Sequence, residues 1–124
     1  MGTNPEQAAH FIAAQGADMI GLNCGTGIDM QRAAEVVTRY RTCCDLPVMA
    51  QPNAGQPELD GTQVVYRQTP QDMARDAPEL LAAGARIIGA CCGSTPEHIR
   101  LLAEVLAAHP AGQPKPRGGP EPSR

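Results

Sequence analysis

Residues 16–26, GADMIGLNCGT, and residues 84–94, GARIIGACCGS, decide the fold of this chain of 124 residues. The two stretches are identical at six of eleven positions and lie 68 residues apart, which is two units of 34. A unit of that length accommodates one strand, one helix and their loops. Each stretch begins with glycine, continues as a short apolar run and ends in cysteine and glycine. The repeat therefore predicts two equivalent strands of a parallel sheet, with one further strand between them.

The rest of the sequence alternates between helical and strand patterns. Cap signals and apolar spacing predict helices over 5–15, 29–42, 70–83 and from 96 onward, and strands over 17–23, 46–50 and 85–90. Pro78 falls inside the third helix and predicts a kink or break. Residues 51–68 are predicted to form a long polar loop. The order αβαβαβα indicates an α/β fold, either a doubly wound open sheet or part of a (βα)8 barrel, which needs about 250 residues when whole.

Composition excludes several classes of function. The net charge is −3 and the ten Lys and Arg residues are scattered, so no nucleic-acid surface is predicted. No apolar run approaches the roughly 20 residues of a membrane span, and residues 1–7 are too polar for a secretory signal. Five cysteines without such a signal indicate a reducing, cytoplasmic location, where clustered cysteines serve metals or catalysis more often than disulfides. Residues 110–124 contain five Pro and three Gly, which predicts a disordered tail or linker.

Three cysteines follow the repeated strands. The repeat aligns Cys24 with Cys92 and Asn23 with Cys91, so all three cysteines fall at the carboxyl edge of the sheet, which carries the site in both candidate architectures. Neighbouring side chains of a strand point to opposite faces, so the adjacent pair can converge only where the backbone turns, as Gly93 permits. Three protein ligands with an open fourth position are typical of catalytic zinc sites, whereas structural sites usually have four, and three thiolates would favour activation of a substrate thiol. The alternative is that these cysteines are simply buried apolar residues.

Other candidate residues are interpreted as structural. The pair Cys43 and Cys44 lies between a helix and the next strand, hence on the opposite rim, and is predicted to pack rather than bind metal. His98 is predicted to be an exposed polar residue, and Glu58 and Asp60 to be solvated carboxylates. The stretch 25–27, Gly-Thr-Gly, is predicted to form a tight turn, with a phosphate cradle as the alternative.

Three motifs together resemble a known family. GLNC at 21–24, QPNAG at 51–55 and GACCGSTPEH at 89–98 are similar to the homocysteine-binding domain of the homocysteine S-methyltransferase family, and the likeness extends over about residues 1–108. Within the family it is closest to the homocysteine module of cobalamin-dependent methionine synthases. The resemblance implies a (βα)8 TIM barrel. Residues 1–109 would then supply its C-terminal part, about the last three βα units (strands 6–8) and a preceding helix.

The resemblance also implies a site and a reaction. Zinc would be held by Cys24, Cys91 and Cys92, with Asn53 near the open metal position. The homocysteine thiolate would attack a methyl donor to give methionine. The donor would be methylcobalamin supplied by methyltetrahydrofolate, S-methylmethionine or betaine.

In the family, strands 1–5 carry the residues that hold the amine and carboxylate of the amino acid. This chain would lack those strands, so it is expected to have little activity on its own. The partner would be the missing barrel half or a second copy. The alternatives are a non-enzymatic zinc-binding half-barrel and a phosphate-binding βα module.

Overall fold

The structure is a computed structural model and describes residues 2–25 and 27–109. The helices are α1 (Pro5–Ala14), α2 (Met30–Arg41), α3 (Pro70–Ala83) and α4 (Pro96–Ala108). The strands are β1 (Ile20–Leu22), β2 (Val48–Ala50), β3 (Pro57–Asp60), β4 (Gln63–Tyr66) and β5 (Ala85–Ile88). Every helix begins at a side-chain cap, and α1, α3 and α4 have complete capping boxes with proline in the first turn. The predicted helices are thus confirmed to within a few residues.

The parallel sheet has the order β1–β2–β5. In register, Ile20 lies beside Val48, and Val48 lies beside Ala85. The two repeated strands therefore flank one strand of different sequence, as the repeat predicts. This arrangement confirms a mixed α/β fold with a parallel sheet. The carboxyl ends of all three strands lie on one edge, where the candidate site is expected.

The core lies between one face of this sheet and the four helices, which pack in chain order, α1 against α2, α2 against α3 and α3 against α4. Its residues are almost all aliphatic or alanine, and the largest fully buried side chains include Ile20, Met30, Met73, Leu80 and Leu102. On the other face, Met49 is half-buried and Ile87 is 48% exposed. Among the described residues, no element covers this second face, so the sheet is packed on one side only.

Residues 51–68 contain more structure than the predicted loop. Strands β3 and β4 form an antiparallel hairpin in which Leu59 pairs with Val64 across a turn at Gly61. The prediction of a structureless segment was wrong because the alternation of buried and exposed residues is missing here. Leu59 is 76% exposed and Val64 57% exposed, so the hairpin has no buried face that would mark it in the sequence.

Helix α3 continues through Pro78, so the predicted break is absent. Its neighbours Ala77 and Leu80 are fully buried, and this packing offsets the missing backbone hydrogen bond. The tail predicted over 110–124 lies outside the described residues. Among the described residues, no helix combines the length and the apolar character that a membrane crossing requires.

Candidate metal centre

Three cysteine sulphurs converge at the carboxyl edge of the sheet. The Sγ atoms of Cys24, Cys91 and Cys92 all lie within 4.8 Å of one another. Those of Cys91 and Cys92 are 4.0 Å apart. Cys24 follows β1, whereas the other two follow β5, so the central strand β2 separates the two sources of ligand. The structure thus brings together the three cysteines that the repeat selected.

A tight turn after β5 lets two adjacent cysteines face the same point. The Ser94 amide donates to the Cys91 carbonyl at 3.1 Å, and Gly93 has a φ of +80°. Such a φ favours glycine because other residues meet steric strain there. A Cβ atom at Gly93 would also lie 2.3 Å from the Cβ of Tyr66, so the site has no room for a side chain. Gly93 is therefore required by conformation and by space.

The loop after β2 connects the two cysteine-bearing loops. Asn53 is 2% exposed; its Oδ1 accepts from the Cys92 amide at 3.1 Å and its Nδ2 donates to the Cys24 carbonyl at 3.4 Å. Backbone bonds join the same loops, from Cys91 N to the Pro52 carbonyl at 2.8 Å and from Ala54 N to the Cys92 carbonyl at 2.9 Å. The predicted proximity of Asn53 to the cysteines takes the form of a bridge between their backbones.

The electrostatics of the cluster reflect crowded thiols. Hydrogen bonds that the Cys24 thiol donates to Cys91 and, to a smaller extent, to Cys92 raise the pKa of Cys24 to about 11. The hydrogen bond with Cys24 lowers the pKa of Cys91. One thiolate shared among three sulphurs is stabilised by its protonated neighbours, but a second negative charge so close is opposed. A cation at the centre would reverse that opposition, and its binding would release protons.

The donor set fits a zinc ion. Tetrahedral zinc with Zn–S bonds near 2.3 Å places its sulphurs about 3.8 Å apart. The spacing of Cys91 and Cys92 is close to this value, and the whole cluster needs to contract by less than about 1 Å to reach it. Among residues 2–25 and 27–109, no fourth Cys, His, Asp or Glu belongs to the group. The described residues could therefore hold a metal and leave one position open.

Three residues near the cluster were not identified as part of the site from the sequence. Tyr66, at the end of β4, packs against Gly93. Burial raises the pKa of the Tyr66 phenol, and the neighbouring Cys92 raises it further. Its position could not be predicted from the sequence, because the unpredicted hairpin is what brings this residue back towards the cysteines.

The other two missed residues are His98 and Gln68. His98 is 5% exposed, so its prediction as an exposed polar residue was wrong. Its ring lies between the Thr95 amide, 3.1 Å from Nδ1, and the Gln68 carbonyl, 2.8 Å from Nε2. The Thr95-x-x-His98 spacing of a capping box was the available signal for the first contact. The second contact joins residues 30 positions apart and leaves no local trace in the sequence.

The remaining candidates lie away from the cluster. Cys44 is buried and lines an open cavity of about 600 Å³ at the amino ends of β1, β2 and β5, beside Met19, Pro47 and Arg86. This is the amino edge of the sheet, as predicted for the pair at 43–44. Glu58 is exposed and bonds Arg67 at 2.9 Å, on the hairpin.

Comparison with known proteins places this geometry in a family. Residues 1–106 match the profile of the family described as homocysteine S-methyltransferase. Methionine synthase from Mycobacterium tuberculosis is 35% identical over 109 residues, which cover 86% of this chain and 9% of that protein. Methionine synthase from Mycobacterium leprae is 34% identical over 109 residues, with the same coverage.

A solved structure is also similar. It is the crystal structure of the homocysteine methyltransferase MmuM from Escherichia coli in its metallated form. The TM-score is 0.58 at 26% identity, covering 80% of this chain and 28% of that one. The chain thus spans less than a tenth of the methionine synthases and under a third of this relative. Its parallel sheet and helices are consistent with a fragment of the relative's fold. The chain belongs to the homocysteine S-methyltransferase family.

Proposed function

We propose that this chain carries the zinc-binding part of a homocysteine S-methyltransferase site, with Cys24, Cys91 and Cys92 as the ligands. The observation that carries the proposal is the convergence of the three sulphurs within 4.8 Å at the carboxyl ends of two parallel strands. Family membership and the metallated state of the MmuM structure support it. A zinc ion held there would supply a soft, electron-rich Lewis acid that accepts the homocysteine thiolate at neutral pH.

The protein's own residues have defined tasks in this proposal. The three cysteines hold the ion and give up their protons when it binds. Asn53 fixes the two cysteine-bearing loops against each other, and its burial keeps it from being displaced by water. The homocysteine sulphur, held beside this cluster, attacks the donor methyl group. The S–CH3 bond of methionine forms as the methyl–donor bond breaks, and the departing donor keeps that electron pair. Of the donors implied by the resemblance, we propose methylcobalamin first, because the sequence motifs are most similar to those of cobalamin-dependent methionine synthases.

The proposal includes only part of a substrate pocket. The second face of the sheet is open, with Ile87 48% exposed and Met19 37% exposed. We propose that further strands, from a missing barrel half or a second copy, complete the pocket and hold the amine and carboxylate of homocysteine. The isolated chain is then expected to bind zinc and to show little turnover with any of the three donors.

Zinc content tests the ligand set. The wild-type chain should retain one zinc per molecule after dialysis, measured by elemental analysis. Its cobalt(II) form should show thiolate-to-metal charge transfer. Cys24→Ser should abolish both signals, whereas Cys43→Ser is the matched control because Cys43 has the same partial burial on the other edge. Equal metal content in the two variants would exclude the proposed ligands and would favour the alternative that Cys24, Cys91 and Cys92 serve only in packing.

Homocysteine tests the substrate. Addition of homocysteine to the cobalt(II) protein should change the charge-transfer spectrum, and homoserine, which has oxygen in place of sulphur, should leave it unchanged. A metal site that does not respond to homocysteine would favour the alternative of a non-enzymatic zinc-binding chain. Robust methionine formation by the isolated chain would contradict the need for further strands.

A further inference from the structure

We propose that His98 is a positioning residue that fixes the turn carrying Cys91 and Cys92 relative to Cys24. This inference rests on the proposed metal-binding function and assigns a role to a side chain outside the ligand set. His98 is 5% exposed although it stands in the first turn of α4, six residues after Cys92. A buried imidazole must have hydrogen-bond partners for both ring nitrogens, and both are present here.

The two partners define one state of the ring. The Thr95 amide can only donate, so Nδ1 at 3.1 Å accepts from it. The Gln68 carbonyl can only accept, so Nε2 at 2.8 Å carries the hydrogen. The bridge therefore needs a hydrogen on Nε2, while Nδ1 also lies 2.9 Å from the Thr95 hydroxyl. The ring joins the start of α4 to the segment that follows the hairpin.

The Gln68 end of this bridge leads back to the cysteines. The Gln68 amide donates to the Ala54 carbonyl at 3.0 Å, and the Ala54 amide donates to the Cys92 carbonyl at 2.9 Å. At the other end, Thr95 follows directly on the turn closed by Ser94. The bonds thus form a closed circuit that starts and ends at the cysteine turn, and His98 is the side chain that closes it.

The circuit explains why a helix cap alone would not suffice. A capping box orders the first turn of α4 but makes no bond to the segment after the hairpin. The bond from Nε2 to the Gln68 carbonyl supplies that bond, and it supports the contacts that Asn53 and Ala54 make with the cysteine turn. A metal ion needs its ligands at defined distances, so a loss of order in the turn that carries two of them weakens binding. Outer contacts of this kind change metal affinity by about 10- to 100-fold.

The His98 ring caps α4 through Nδ1 and bonds the Gln68 carbonyl through Nε2, and the variant His98→Gln separates these two roles. In α1, Gln7 occupies the same capping-box position and accepts from the Asn4 amide at 2.9 Å. Glutamine at 98 can therefore keep the cap of α4 while losing the bond to Gln68. His109→Gln is the matched control, since His109 lies at the exposed far end of the same helix and bonds the Val105 carbonyl.

Two measurements use the whole chain. In the metal-free protein, hydrogen exchange at the Ala54 and Gln68 amides should accelerate about 10-fold or more in His98→Gln and stay unchanged in His109→Gln. Nitrogen-15 NMR of the wild type should show the Nε2–H tautomer. Cobalt(II) affinity, followed by the thiolate charge-transfer band, should fall about 10-fold in His98→Gln only.

Each outcome decides the role of His98. Unchanged exchange at both amides, or a different tautomer, would overturn the proposed bridge. Accelerated exchange with unchanged cobalt affinity would also overturn the positioning role, because the bridge would then be structural only. If the wild-type chain binds neither cobalt nor zinc, the proposed function fails. In that case the exchange data alone confirm or overturn the bridge.

Discussion

Replacement of Gly93 by alanine should disrupt the cysteine turn far more than the same change at another glycine of equal conformation. Gly93 has a φ of +80° and Gly16 a φ of +83°, so alanine meets the same backbone strain at both, about 1–2 kcal/mol. At Gly16 an added Cβ meets nothing within 4 Å. At Gly93 it would lie 2.3 Å from the Cβ of Tyr66 and 2.4 Å from its Cγ. These atoms stand at the base of the side chain and cannot rotate away.

The size of the effect follows from these distances. Ordinary contacts begin near 3.4 Å, so the turn and Tyr66 must separate by about 1 Å. Close packing resists such a shift, and overpacking of this kind costs about 1–3 kcal/mol. Gly93→Ala should therefore lower the free energy of unfolding by about 2–5 kcal/mol, against about 1–2 kcal/mol for Gly16→Ala. A displacement of about 1 Å would also move Cys91 and Cys92 relative to Cys24 and so weaken metal binding.

Urea unfolding of the metal-free proteins measures the stability difference, and cobalt(II) titration measures the site. Gly93→Ala should weaken cobalt binding at least 10-fold, and Gly16→Ala should leave it unchanged. Tyr66→Gly removes the atoms in conflict, so Gly93→Ala should cost less in that background, as a double-mutant cycle would show. Equal losses for the two alanine variants, or an unaltered cobalt affinity in Gly93→Ala, would refute the reasoning.

Three further predictions concern the same region and one helix cap. Asn53→Ala should destabilise the chain by about 1–3 kcal/mol in urea unfolding, because it leaves the Cys92 amide without its acceptor; a loss near zero would contradict the bridging role. Zinc affinity, measured by competition with a chelator, should rise with pH. The ion must displace protons from thiols such as Cys24, whose neighbours raise its pKa to about 11. An affinity that does not change with pH would argue against thiolate ligands. The Thr69 amide holds the pKa of Asp72 below its usual value, so this carboxylate stabilises the fold above that usual value and loses its effect as the pH falls through the lowered pKa. Asp72→Asn should flatten the dependence of Tm on acid pH, and an unchanged profile would count against the cap.

The site was more predictable than the elements around it. Cys24 and Cys92 occupy equivalent positions of an internal repeat, so the sheet alone brings them to one edge. Cys91 joins them because the backbone turns at Gly93, which the sequence also indicates. The hairpin was missed because Leu59 and Val64 face solvent, and a strand without a buried face has no alternating pattern.

Contacts distant in sequence account for the remaining misses. His98 carries the spacing of a capping residue, and only the folded chain shows that its second nitrogen meets the Gln68 carbonyl. Tyr66 reaches the cysteines only because the hairpin reverses the chain before it. Helix α3 tolerates Pro78 because its buried neighbours outweigh a local penalty. In each case, tertiary contacts override the preference of the local sequence.

The position of the cysteines on two strands that never pair has a consequence for folding. Cys24 follows β1 and Cys91 follows β5, so an ion shared by them ties together points that are separated by most of the described chain. Such a tie acts like a disulfide across a long loop, which restricts the unfolded ensemble by about 4 kcal/mol. That is a large part of the roughly 5–15 kcal/mol by which a domain is usually stable. Zinc bound at the proposed site would then act as a staple of the fold, and its removal by a chelator should lower the Tm.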